Sequence, residues 1–91
     1  MIERNIEVVN RLGLHARAAA QLVRTASCFD CSLQLERSDK SAAADAKSIL
    51  SVLMLAAARG TILRATADGA DESEALNALC QLFANKFGEM E

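Results

Sequence analysis

Residues 31–44 read Cys31-Ser32-Leu33-Gln34-Leu35-Glu36-Arg37-Ser38-Asp39-Lys40-Ser41-Ala42-Ala43-Ala44. Cys31, Leu33 and Leu35 alternate with Ser32, Gln34 and Glu36, the two-residue period of a strand with one buried face. Arg37 to Lys40 is a polar turn, and Ser41 to Ala44 returns as a short, weak strand. Strands joined by so tight a turn pair antiparallel, because parallel neighbours need a long crossover.

The flanking segments complete the pattern. Ile6-Glu7-Val8-Val9-Asn10 is a strand with Ile6 and Val8 on one face, and Arg11 to Leu14 is a loop. From Ala16 to Ser27 the period changes. Ala19, Leu22, Val23 and Ala26 make one helical face, and Arg17, Gln21, Arg24 and Thr25 the wet one. A second helix runs from Lys47 to Arg59 and stops at Gly60. Ile62 to Ala67 is a strand with Leu63, Ala65 and Ala67 on one face, ended by Asp68-Gly69. Asp71, three residues before Glu74, has the spacing of a capping box. Leu76, Leu79, Cys80 and Phe83 form the apolar face of a last helix, stopped by Gly88. The order β-α-β-β-α-β-α defines an α+β fold, a four-stranded antiparallel sheet with three helices on one face.

Composition bounds the rest. Ninety-one residues make one domain, 1–91. The chain is 52% hydrophobic but 3% aromatic, so its core is aliphatic and alanine-rich. With no proline and no biased tract there is no linker. The net charge of −2, with charges of mixed sign, argues against nucleic acid as a partner, for which a basic stripe would be expected. The longest apolar run, Val52 to Ala58, is too short to span a bilayer, and the N-terminus lacks a signal-length apolar stretch. A cytoplasmic monomer is expected. The odd number of cysteines, Cys28, Cys31 and Cys80, fits reduced thiols.

The single histidine, His15, stands in Leu12-Gly13-Leu14-His15-Ala16-Arg17-Ala18-Ala19, where loop becomes helix. The first N–H groups of a helix lack internal partners and its dipole there is positive, so that end holds phosphate. An imidazole with an ordinary pKa of about 6.5 is a nucleophile at neutral pH. The backbone of Ala16 and Arg17 would cradle the anion, Arg17 adds a permanent planar cation, and Gly13 allows close approach. On these residues alone, His15 is either a phosphate acceptor or a helix-start residue without a role.

The run Gly13-Leu14-His15-Ala16-Arg17, followed by Ala18-Ala19, closely resembles the active-site motif of the HPr family. These are the histidine phosphocarriers of the phosphoenolpyruvate-dependent phosphotransferase system. Asp45-Ala46-Lys47-Ser48-Ile49-Leu50 resembles the family's second signature, and Gly69-Ala70-Asp71-Glu72 with Glu74 to Leu79 resembles its last helix. The resemblance implies an open-faced β-sandwich. It further implies that His15 is phosphorylated by enzyme I and donates to an enzyme IIA domain, with no cofactor. Ser48 is then a regulatory serine for an HPr kinase, against the alternative of a plain helix cap. The chain departs from the family by carrying Ala18 where proline is usual, in the first turn that tolerates proline.

The second helix is apolar on two sides. Val52, Leu55 and Ala56 form a core stripe, while Ile49, Leu50, Leu53 and Met54 form another. Either the last helix covers the second stripe, or it is a docking patch for enzyme I and enzyme IIA, to which the flexible Met54 is suited. Arg24 is a solvated charge or, as the resemblance implies, a docking residue. Two alternatives accompany this reading. Leu53-Met54-Leu55 and Lys86-Phe87-Gly88 are somewhat similar to the nitrogen-related NPr branch. Cys28 and Cys31 form a C-x-x-C that would suit a small metal-binding module, although two further ligands are wanting.

Overall fold

The computed structural model describes residues 1–89. Its elements are β1 (Ile2–Glu7), α1 (Ala16–Ala26), β2 (Ser32–Arg37), β3 (Ala43–Asp45), α2 (Ile49–Met54), β4 (Ile62–Asp68) and α3 (Glu72–Ala84), followed by a 3-10 turn at Lys86–Gly88. The sheet order is β1-β4-β2-β3 with every pair antiparallel. The three helices cover one face and leave the other open, the expected α+β architecture.

Side-chain alternation sorts the two faces. Ile6, Leu33, Leu35, Leu63, Ala65 and Ala67 point under the helices and are buried, as are Leu22, Leu76 and Leu79 from above. Each buried leucine contributes about 1.5–3 kcal/mol. On the open face Arg64 sits between the carboxylates of Glu3 and Glu36. The small residues on β4 and α1 let helix and sheet approach closely: Ala18, Ala19, Ala26, Ala65 and Ala67 are wholly buried.

Several boundaries differ from the sequence expectation. β1 begins at Ile2, not Ile6, because Ile2 to Glu7 pair with Ala67 to Ile62. The run Glu3-Arg4-Asn5 hid this strand, since Glu3 and Asn5 face the open side and Arg4 reaches across to hydrogen-bond Asn77 on α3 at 2.6 Å. β3 starts at Ala43, because Asp39 wraps the preceding turn by accepting from the Ser41 N–H at 2.9 Å. Gln21, Val23 and Thr25 on α1 are half-buried, so its two faces are less cleanly divided than the spacing suggests.

The largest correction concerns α2. It spans six residues, not the thirteen between Lys47 and Arg59, and Gly60 does not end it. Ala56 turns to φ +50, and its neighbour Ala57 gives its carbonyl to the Leu14 N–H at 2.9 Å. Arg37 donates to the carbonyls of Leu55 (3.0 Å) and Ala56 (3.2 Å), satisfying the helix end. No local signal in Ala56-Ala57-Ala58 announces this stop.

Asp71 does not form the expected capping box. Its carboxylate instead accepts from the backbone N–H groups of Asp30 (2.9 Å) and Cys31 (3.0 Å), pinning the start of β2. Glu72, the first residue of α3, accepts instead from the Gly69 N–H at 3.1 Å, tying the preceding turn to the helix. α3 ends at Ala84, four residues before Gly88, and Phe87 folds back into the core against Phe83. Cys80, expected in the core, is partly buried at its edge.

Candidate functional site

His15 is the N-cap residue of α1. It does with an imidazole what serine or aspartate does at other helix starts: Nδ1 accepts the Arg17 backbone N–H at 3.2 Å. Nδ1 therefore bears a lone pair, and the ring proton sits on Nε2. That nitrogen lies 2.7 Å from Oε2 of Glu89. The ring is thus held on both edges, with the Nδ1 lone pair turned toward the positive end of α1. His15 is 27% exposed at its side chain, which leaves it accessible to another protein.

The loop before His15 is rigid for identifiable reasons. Gly13 has φ +67, and a Cβ there would meet the Ala57 carbonyl oxygen at 2.6 Å. Asn10 is wholly buried and its side-chain amide donates to the Gly13 carbonyl and to Glu89, each at 2.8 Å. The Glu89 carboxylate is held below its ordinary pKa, first by the hydrogen bond from His15 and then by those from Asn10 and the Leu12 backbone.

The surroundings group as follows. Ala16 and Arg17 follow His15 as the first two residues of α1, with Arg17 exposed. Arg17 and Arg24 line a shallow groove along α1 with Gln21 and Leu82. His15, Leu12, Ala56 and Ala58 border a second depression, where the end of α2 meets the His15 loop. α2 presents Ile49 (43% exposed), Leu50 (67%), Leu53 (37%) and Met54 (71%) to solvent, and Leu12 (64%) lies exposed as well. Ser48 is the N-cap of α2, half-buried, and its hydroxyl makes no capping hydrogen bond. Ala18 is wholly buried in the first turn of α1.

Cys28 and Cys31 do not share an environment. Cys28 is exposed and donates to the Arg24 carbonyl, while Cys31 lies in the core, where burial and the neighbouring Asp71 raise its thiol pKa. Among the described residues no group of three or more metal-ligating side chains gathers, and no helix is long and apolar enough to cross a membrane.

Sequence reasoning missed Asn10 and Glu89. Asn10 is a lone amide at a predicted strand end, and Glu89 is one of many surface-type glutamates 74 positions from His15. Neither carries a periodic or spacing signal.

An anion-seeking helix start with a half-exposed imidazole as its cap, on an open-faced sandwich, is the architecture of a phosphoryl carrier. The family model for the "PTS HPr component phosphorylation site" matches residues 2–85. A phosphocarrier protein HPr of Xylella fastidiosa is 48% identical over 89 residues, covering 98% of both chains. Its counterpart in Neisseria meningitidis is 44% identical over the full length of both. The crystal structure of HPr-C-His from Thermoanaerobacter tengcongensis superposes with a TM-score of 0.92 at 42% identity, covering all of both chains. The chain belongs to the HPr family of phosphotransferase-system phosphocarriers.

Proposed function

We propose that His15 receives a phosphoryl group on Nδ1 from phosphorylated enzyme I and passes it to an enzyme IIA domain. The observation that carries this reading is the hydrogen bond from the Arg17 N–H to Nδ1, which gives that nitrogen the lone pair and points it at the start of α1. The backbone of Ala16 and Arg17 and the Arg17 guanidinium receive the phosphoryl oxygens. The carrier adds no chemistry of its own beyond a reversible phosphoramidate, so its partners complete the site.

The exposed stripe Ile49, Leu50, Leu53 and Met54, with Arg24 on the neighbouring helix, serves as the surface those partners share. Its support is position: the segment that leaves α2 is tied to the His15 loop by the Leu14–Ala57 hydrogen bond. Ser48 opens the same helix with a hydroxyl that is not used as a cap. In this reading an HPr kinase phosphorylates Ser48 and sets a dianion beside the docking stripe, which weakens transfer through His15.

Incubation with enzyme I and labelled phosphoenolpyruvate tests the reading. The expected label is acid-labile and alkali-stable and is absent from His15→Ala. A fully labelled His15→Ala protein overturns it.

A further inference from the structure

We propose that Glu89 is a positioning residue for phosphoryl transfer, holding the His15 ring by its Nε2–H and facing the positive charge that the ring acquires. This rests on the assignment of His15 as the acceptor.

The contact is built, not incidental. Oε2 of Glu89 lies 2.7 Å from Nε2 of His15 and 2.8 Å from Nδ2 of Asn10. The Glu89 side chain is only 15% exposed. Asn10, itself fully buried, ties the same carboxylate to the Gly13 carbonyl and so to the His15 loop. The approach of Glu89 requires a special backbone. Lys86, Phe87 and Gly88 take φ of 57, 54 and 79, a left-handed run that turns the chain back after α3. Two of these residues are not glycine, and such residues seldom adopt that region. The run is anchored by Phe87, buried against Phe83 with ring centroids 4.9 Å apart, and by Gln21, which donates to the Phe87 carbonyl at 3.2 Å.

Charge bookkeeping shows what this arrangement does. The Nδ1 lone pair forms the new N–P bond. The P–N bond of a donor of the phosphohistidine class breaks, and its electron pair returns to the donor's imidazole nitrogen. His15 keeps its Nε2 proton, so its ring passes from neutral to singly positive while the donor ring loses one positive charge. The Glu89 carboxylate meets that new charge through a charge-assisted hydrogen bond at the edge opposite the phosphoryl group. The logic is that of a carboxylate behind a catalytic histidine, which orients the ring and stabilises its cation without taking its proton.

Full-length Glu89→Gln and Glu89→Ala proteins test this. Glutamine keeps the size and an acceptor oxygen but removes the charge. The expected result is a kcat for phosphorylation by enzyme I reduced about tenfold in Glu89→Gln, and at least as much in Glu89→Ala, with KM within about twofold of the parent. Ring-nitrogen NMR of the unphosphorylated proteins should show a hydrogen-bonded, downfield Nε2 proton in the parent and in Glu89→Gln that is lost from Glu89→Ala. Parental kcat in a folded Glu89→Gln protein overturns the proposal, as does a change confined to KM, which would make Glu89 a docking residue. If His15→Ala is unlabelled while Glu89→Gln transfers at the parental rate, only this inference fails. If His15→Ala is labelled, the acceptor assignment fails first.

Discussion

The backbone N–H of Leu14 donates to the carbonyl of Ala57 at 2.9 Å, and this one bond joins the His15 loop to the segment that leaves α2. It places the His15 loop beside the segment that follows the exposed stripe of α2. It also explains two backbone peculiarities, the left-handed conformations of Gly13 and Ala56.

Gly13→Ala forces a Cβ to within 2.6 Å of the Ala57 oxygen and 3.0 Å of the Ala58 Cα, both backbone atoms. A left-handed alanine costs about 1–2 kcal/mol and overpacking about 1–3 kcal/mol. Urea denaturation should therefore show a loss of about 2–5 kcal/mol for Gly13→Ala, with His15 phosphorylation slowed in the folded fraction.

Ala56→Gly acts in the opposite sense. Alanine at φ +50 bears the left-handed cost, and glycine relieves it at the expense of extra chain entropy in the unfolded state. The net gain should be about 0.5–1 kcal/mol, read as a Tm higher by a few degrees in calorimetry. A lower Tm would show that Ala56 makes packing contacts worth more than its strain.

Asp71 governs part of the acid limb of stability. Its carboxyl is held below the usual range, first by the Asp30 backbone N–H and then by Cys31. A depressed carboxylate stabilises the fold above its ordinary pKa of about 3.9, and that contribution is lost as pH falls through the folded value. Asp71→Asn should lower the urea midpoint at pH 7 and flatten the fall in stability between about pH 5 and the acid transition. Equal slopes in mutant and parent would remove Asp71 from this role.

Arg17→Ala separates folding from transfer. The side chain is exposed, so stability should change by no more than about 0.5 kcal/mol. Loss of the guanidinium should slow phosphotransfer at least about tenfold in stopped-time labelling with enzyme I.

Leu50→Asp probes the stripe on α2. With 67% of Leu50 exposed, a carboxylate there stays in water, and the urea midpoint should match the parent. The KM for phosphorylated enzyme I should rise at least about tenfold, because a charge is placed at the centre of an apolar contact. An unfolded variant would move Leu50 into the core, and an unchanged KM would move the docking surface elsewhere.

The sequence by itself determined the order of elements, the buried faces of β2, β4 and α3, and the placing of His15 at a helix start. These follow from short-range rules: alternation along a strand, recurrence along a helix, and the unsatisfied N–H groups that any helix start presents. Where polar residues interrupted the alternation, as in Glu3-Arg4-Asn5, the strand escaped notice because its partner β4 supplies the reason for its extent. Only the tertiary structure decided where α2 ends. Helix propensity favours continuing through Ala56 to Ala58, but the chain beyond Leu55 instead gives its Ala57 carbonyl to Leu14 while Arg37 takes the carbonyls of Leu55 and Ala56. Asp71 followed the same rule: its carboxylate caps no helix N–H and instead pins the N–H groups of Asp30 and Cys31, just ahead of β2. The environment of His15 was beyond local reading for a related reason. Its Nδ1 partner lies two residues away and follows from the helix start, whereas its Nε2 partner, Glu89, arrives only because a left-handed turn after α3 closes over a core formed by the whole chain.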